Sequence, residues 1–382
     1  MNVLLPDNDG HLLSYKLQSN YRPGTPLNQN SCRTIYSAAH VVADPFASCN
    51  PHTASAIHWV DTLKFRRHLA GLGLGIAEAM DTAQRGMGLD WSGALELIKQ
   101  TRIELPNALV ANGVGTDQID PNIVTSVDQV LSAYHEQLTE VQKLDARVIL
   151  MASRALAKVA TSSKDYIKVY GQILDSCDHP VILHWLGEMF DPQLLGYWGA
   201  SSFEDALEVV LEIIESNIDR IDGIKISLLD KEKEIIMRRR LPHTVKMYTG
   251  DDFNYPELIE GDDFGHSHAL LGIFDPLADV ASSAISRLNE NDIDNYRQLL
   301  QPTVPLARHI FQSPTQYYKT GVVFLAWLNG FQEHFIMLNG AQSARSLHYF
   351  VQTFKLADQA NVLVDPERAS FKMKQLLSVY GF

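Results

Sequence analysis

Lys225 interrupts an otherwise apolar run, Gly223-Ile224-Lys225-Ile226-Ser227. A cation inside a buried strand is costly, and desolvation lowers the pKa of its amine. A neutral amine sheltered from water can attack a carbonyl carbon and condense to an iminium. The same position also suits a lysine paired with a buried carboxylate, or one directed between sheet and helices toward solvent. His184 closes another apolar run, Pro180-Val181-Ile182-Leu183-His184-Trp185. An imidazole of pKa about 6.5 can carry protons at neutral pH, although a lone histidine in a strand also serves as a hydrogen-bonded core residue.

A second constellation competes for the same region. His40, Glu78, Asp81, His184, Glu188, Asp251, His266 and His268 all fall near the ends of apolar runs. Such sets hold divalent ions that polarise carbonyls in barrel isomerases, epimerases and class II aldolases. The pair in His266-Ser267-His268 has period two, which places both side chains on one face of a strand. Neither HxxxH nor HExxH spacing occurs, so no metal ligand is assigned and no cofactor is implied.

These residues need elements to position them. Eight short apolar runs alternate with segments of helical period: 35–42, 75–80, 108–113, 148–152, 181–185, 223–227, 245–249 and 269–274. Continuous apolar strands separated by helices predict a parallel sheet covered on both faces, and eight units predict an α/β fold of the (β/α)8 TIM-barrel type. No GxGxxG follows the first run, and Gly71-Leu72-Gly73-Leu74-Gly75 precedes a strand, the wrong order for a dinucleotide loop. Residues 1–32 predict a hairpin about Asp7-Asn8-Asp9-Gly10 and a linker, 33–291 the barrel, and 292–382 a helical extension packed on it. Active sites of such barrels lie at the C-terminal ends of the strands, where His184, Asp81, Asn112, Asp251 and Asp252 are expected.

Composition narrows the partners. Of 382 residues, 46% are hydrophobic and 20% charged, as in globular proteins. The formal charge of -13 disfavours nucleic acid or an anionic membrane as partner and leaves a small molecule. No apolar run approaches the roughly 20 residues of a membrane helix. MNVLLPDNDG lacks the pattern of a signal peptide, and three scattered cysteines form no framework, so a reduced, cytoplasmic setting is expected.

The run 180–185, then Gly223-Ile224-Lys225, Tyr248-Thr249-Gly250-Asp251-Asp252 and Gly265-His266-Ser267-His268-Ala269 together resemble the second half of the dihydrodipicolinate synthase / N-acetylneuraminate lyase family. The likeness covers about residues 33–335 and is clearest over 180–280, and the chain is similar to a divergent branch of that family. The resemblance implies a class I aldolase, a lyase or dehydratase working on a keto acid or sugar-derived ketone, with Lys225 at the Schiff-base position. It implies a dimer or tetramer as well. It matches Asp81-Thr82-Ala83-Gln84 to the family's Gly-Thr-Thr-Gly-Glu loop, which holds the keto acid's carboxylate, with Asp81 in place of the first Thr and Gln84 in place of Glu. His184-Trp185 stands where the family has Tyr-Asn, and Ser153-Arg154-Ala155-Leu156 holds no match to its second tyrosine. An aspartate beside an incoming carboxylate is a like-charge contact, which Arg85 or Arg154 would have to offset. Asp81, Glu78, Asp251 and Asp252 could instead accept hydrogen bonds from the hydroxyls of a sugar, with Thr82, Gln84 and Asn112 beside them. Metal-dependent sugar isomerase or epimerase chemistry, and a barrel that binds without turnover, are the other readings.

Overall fold

The computed structural model describes residues 1–18, 20–28, 30–50, 52 and 55–382. Strands β1 (Asn2–Pro6) and β2 (Leu12–Lys16) form an antiparallel hairpin. Asp7 Oδ1 accepts from the backbone N–H of Asp9 and His11 and holds its turn. The hairpin is fastened to the far end of the chain: the Tyr15 hydroxyl donates to Asp358 Oδ2 at 2.8 Å.

Eight parallel strands close the barrel: β3 (Ile35–Ala38), β4 (Gly75–Glu78), β5 (Val110–Val114), β6 (Arg147–Leu150), β7 (Val181–Leu186), β8 (Ile221–Ser227), β9 (Lys246–Thr249) and β10 (His268–Leu271). Each coincides with one of the eight apolar runs. Alternation sorts side chains between two cores. Tyr36, Ala77, Ala111, Ile149, Ile182, Tyr248 and Leu270 fill the barrel interior, while Ile35, Ile76, Leu150, Leu183 and Ile224 pack outward against the helices. A bulge where Val181 pairs with Ile221 and Ile182 with Gly223 resets this alternation in β8, so Gly223, Lys225 and Ser227 face inward. The Gly71–Gly75 stretch is a helix end and turn, with Gly73 at φ 74°.

Beyond the barrel the chain is helical to Val379. The helix Tyr318–Leu328 is buried along its whole length, and its first residue, Tyr318, reaches Thr82 and Gly272 beyond the C-terminal ends of β4 and β10. No helix among the described residues is long and apolar enough to cross a membrane.

Candidate active site

Lys225 projects into the barrel from β8 and keeps 9% exposure. Among the described residues its Nζ has no hydrogen-bond or ion-pair partner. The neighbouring β9 makes room for it at Gly250, where a Cβ would come within 2.7 Å of Lys225 Cε. Burial lowers the amine's pKa, and the charges of Asp252 and Asp81 pull it part of the way back.

His184 of β7 is the register partner of Lys225 on the adjacent strand. Its Nε2 lies 3.4 Å from Ser227 Oγ, and its Nδ1 is buried without a partner. Burial, then the nearby lysine charge, hold the imidazole well below the usual histidine range, so it is neutral at physiological pH. His184 lines a cavity of about 170 Å³ at the C-terminal ends of β4 to β7, together with Asp81, Met151, Arg154, Leu186 and Asp191. Lys225 is not in the lining itself; it stands one strand behind. A larger cavity of about 680 Å³ lies at the opposite end, among Ile35, Leu74 and Leu109 at the strand beginnings, far from these groups.

The turn after β4 carries the next contributors. Asp81 opens a 3-10 turn, Asp81–Ala83, and its carboxylate faces the cavity. Thr82 Oγ1 and the Tyr318 hydroxyl share a buried hydrogen bond of 2.8 Å. The phenol enters over Gly272, where a Cβ would stand 3.1 Å from Tyr318 Cε2. Asp81 and Asp252 raise the pKa of Tyr318 further after burial, and Asp81 is also the carboxylate whose charge acts on Lys319. Burial lowers Lys319 to about 8. Asp252 accepts from the N–H of Ile273 at 2.8 Å, and burial pushes it up to about 7 against the opposing pull of Lys225. Two lysines, two aspartates, a histidine and a phenol thus converge on one barrel mouth.

Other expected site residues lie elsewhere, each for a stated reason. Glu78 sits on the outer face of β4, because Ala77 takes the inward position. Its carboxylate receives Arg66 Nε and Nη2, the Thr101 hydroxyl and the N–H of Ala79, leaving no capacity for a sugar. Asn112 also faces outward and donates to the Arg147 carbonyl. The Gln84 amide donates to the carbonyls of Met87 and Leu338, tying the turn to the C-terminal segment. Asp251 accepts from the N–H of Phe253 and Asn254 and from the Asn254 amide, which shapes the approach to the helix Tyr255–Glu260. The metal-ligand constellation does not assemble. His266 precedes β10 and His268 is its first residue, so both stand at the N-terminal end of the barrel, with His268 Nδ1 accepting from Thr34 N–H. His40 is turned outward onto Asp275. Among the described residues the metal-ligating types gather only at Asp7, Asp9 and His11 in the hairpin turn.

Two site residues went unread, and a third, Arg154, was named only as a charge that could offset Asp81. Tyr318 and Lys319 lie more than 200 positions from Asp81, too far for any local pattern to join them to it. Arg154 lines the cavity from the start of the helix Arg154–Val159; its signal was its place directly after a barrel strand.

A closed eight-stranded parallel barrel with a helical C-terminal tail defines the fold class, and its sixth strand carries a buried lysine with no partner among the described residues. The chain belongs to the family described as "Protein of unknown function (DUF993)", whose model matches residues 3–382. Solved structures share the fold. Dihydrodipicolinate synthase from Thermotoga maritima aligns with a TM-score of 0.65 at 12% identity, over 87% of this chain and 99% of its own. Dihydrodipicolinate synthase DapA-2 from Bacillus anthracis aligns at 0.64 and 16%, over 87% and 98%. The chloride-inhibited synthase from Acinetobacter baumannii, complexed with pyruvate, aligns at 0.62 and 15%, over 86% and 99%. The likeness to dihydrodipicolinate synthases expected from the residues is thus found in the fold. No curated protein matches the chain in sequence.

Proposed function

We propose that the protein is a Schiff-base-forming lyase of the class I aldolase type, acting on a sugar-derived ketone or keto acid. One observation carries this reading: Lys225, inside the barrel on its sixth strand, has no partner among the described residues, keeps some exposure, and has its amine pKa lowered by burial. A free amine so placed can act as a nucleophile, whereas an ion-paired one cannot. Lys225 Nζ attacks the carbonyl carbon, forming the C–N bond, and the carbonyl electrons pass to oxygen, which is protonated. The neutral imidazole of His184 takes a proton from the new ammonium and returns it to the carbinolamine hydroxyl. That hydroxyl leaves as water and the iminium remains. The iminium then accepts the electron pair released when a bond to the adjacent carbon breaks, or supplies it, as an enamine, when that bond forms. Asp81, Thr82 and Asp252 hold substrate hydroxyls. The neighbour complexed with pyruvate supports the choice of a carbonyl substrate.

The test is reductive trapping. The protein is mixed with hydroxyketones and keto acids, reduced with borohydride and mapped by mass spectrometry. A stable secondary amine on Lys225 is expected, and none in Lys225→Ala. Adduct formation undiminished in Lys225→Ala would overturn the proposal.

A further inference from the structure

The charges around the cavity are distributed unevenly between its two ends. Near Lys225 lie two carboxyl groups: that of Asp81, which lines the cavity and has no side-chain hydrogen-bond partner among the described residues, and that of Asp252 behind it. At the rim each carboxylate is matched by a guanidinium, Asp117 by Arg85 and Asp191 by Arg154. Arg85 is spent, giving its nitrogens to Asp117, to Gln137 and to the carbonyls of Ala79 and Gly113. Arg154 is not spent. Its Nε donates to Asp191, which it neutralises, while Nη1 and Nη2 have no partner among the described residues. Its side chain is 35% exposed and borders the cavity. Gly86 leaves the approach open, since even a Cβ there would stand 3.4 Å from Nη1. A guanidinium held by one edge with its outer fork free matches a carboxylate or phosphate in two-pronged fashion.

We propose that the substrate is bipolar: an uncharged ketone or aldehyde flanked by hydroxyls at the Lys225 end, and an oxyanion at the other end held by Arg154. The proposal rests on the Schiff-base reading for its orientation. It departs from an α-keto acid, because a carboxylate bonded directly to the reacting carbonyl would be driven against Asp81 and Asp252. The cavity, about 170 Å³, suits a small metabolite in which both ends are only a few carbons apart.

The experiment compares dihydroxyacetone, dihydroxyacetone phosphate and pyruvate as trapping partners in the wild type, Arg154→Met, Arg154→Lys and Asp81→Asn. The phosphate should trap at a half-saturating concentration roughly 10- to 100-fold below that of dihydroxyacetone, the worth of a charge-assisted two-pronged contact. Arg154→Met should erase that advantage, weakening trapping of the phosphate far more than that of dihydroxyacetone, and Arg154→Lys, which keeps the charge without the fork, should retain part of it. Pyruvate should trap poorly in the wild type and better in Asp81→Asn. Equal trapping of the two ketones, a preference surviving in Arg154→Met, or pyruvate as the best wild-type partner would overturn the proposal. A second measurement does not need the amine: inorganic phosphate binding by calorimetry to Lys225→Met and to Lys225→Met/Arg154→Met. Binding to the first and not the second sustains the anion site even if no ketone is trapped, in which case the Schiff-base reading alone fails. Equal binding to both, or to neither, refutes the site.

Discussion

Asp252 offers the sharpest quantitative test of the site's electrostatics. Its carboxyl is fully enclosed and titrates at about 7, against an ordinary 3.8, because burial penalises the anion more than Ile273 N–H and Lys225 favour it. Between these two values the folded state holds a proton that the unfolded state has released. Stability linked to this group is therefore present at low pH and lost as pH rises from about 4 through 7. Asp252→Asn removes the titration while its side-chain carbonyl can still accept from Ile273 N–H. From pH 5 to pH 8.5 the variant should gain about 3 kcal/mol relative to wild type, two pH units at roughly 1.4 kcal/mol each. Urea denaturation at half-unit pH steps reads the difference directly. In a Lys225→Met background the opposing positive charge is gone, so Asp252 should titrate higher still and the gain should continue to a higher pH. Parallel stability curves for Asp252→Asn and wild type across this range would show that the carboxylate is not buried as described, and the charge pattern proposed for the cavity would fall with it.

Two further outcomes are expected. Arg66 and Glu78 are both completely enclosed and paired at 2.8 Å, so Arg66→Met alone should destabilise by about 3–5 kcal/mol in denaturation, while Arg66→Met/Glu78→Met should recover most of the loss; equal losses in both would refute a buried pair. His184→Asn should slow adduct formation on Lys225 by about 100-fold or more, and because the imidazole stays neutral the wild-type rate should show no limb near pH 6.5 that the variant lacks.

How far the sequence reveals this site depends on which physical signal each residue leaves. Strand order was legible because a parallel sheet covered on both faces demands apolar runs, and all eight appear. Lys225 was legible because a charge in such a run is conspicuous. Glu78 was equally conspicuous and misleading, since the decision between core and cavity rests on strand parity and on an arginine twelve residues earlier in the preceding helix. Asp251 has the same residue type as Asp252 beside it, yet local backbone N–H groups and the Asn254 amide occupy its carboxylate. His266 and His268 were misassigned because residues just ahead of, or opening, a barrel strand lie at its N-terminal end, opposite the cavity. The Thr82–Tyr318 bond could not be read locally at all, being a contact across 236 positions.

The replacement that looked most damaging in the sequence acquires a different meaning in three dimensions. Beside a substrate carboxylate, Asp81 would be a liability. Here its charge acts on Lys225, Lys319 and Tyr318, so the same carboxylate that disfavours an anion beside the carbonyl also tunes the protein's own groups. Asp252 at about 7 and Lys319 at about 8 titrate close together, with Lys225 lowered beside them. The charges of Asp252 and Lys225 act on each other, so this pair titrates as a unit, and the site can lose or gain a proton near neutral pH. A nucleophilic amine needs that property: it must be uncharged to attack and must then shed a proton as the carbinolamine forms. Burial frees the amine, and the two aspartates limit how far its pKa falls. Removing either carboxylate should therefore shift the alkaline rise of trapping on Lys225 to lower pH, and the shift should be larger for Asp252, whose charge acts on the amine more strongly than that of Asp81.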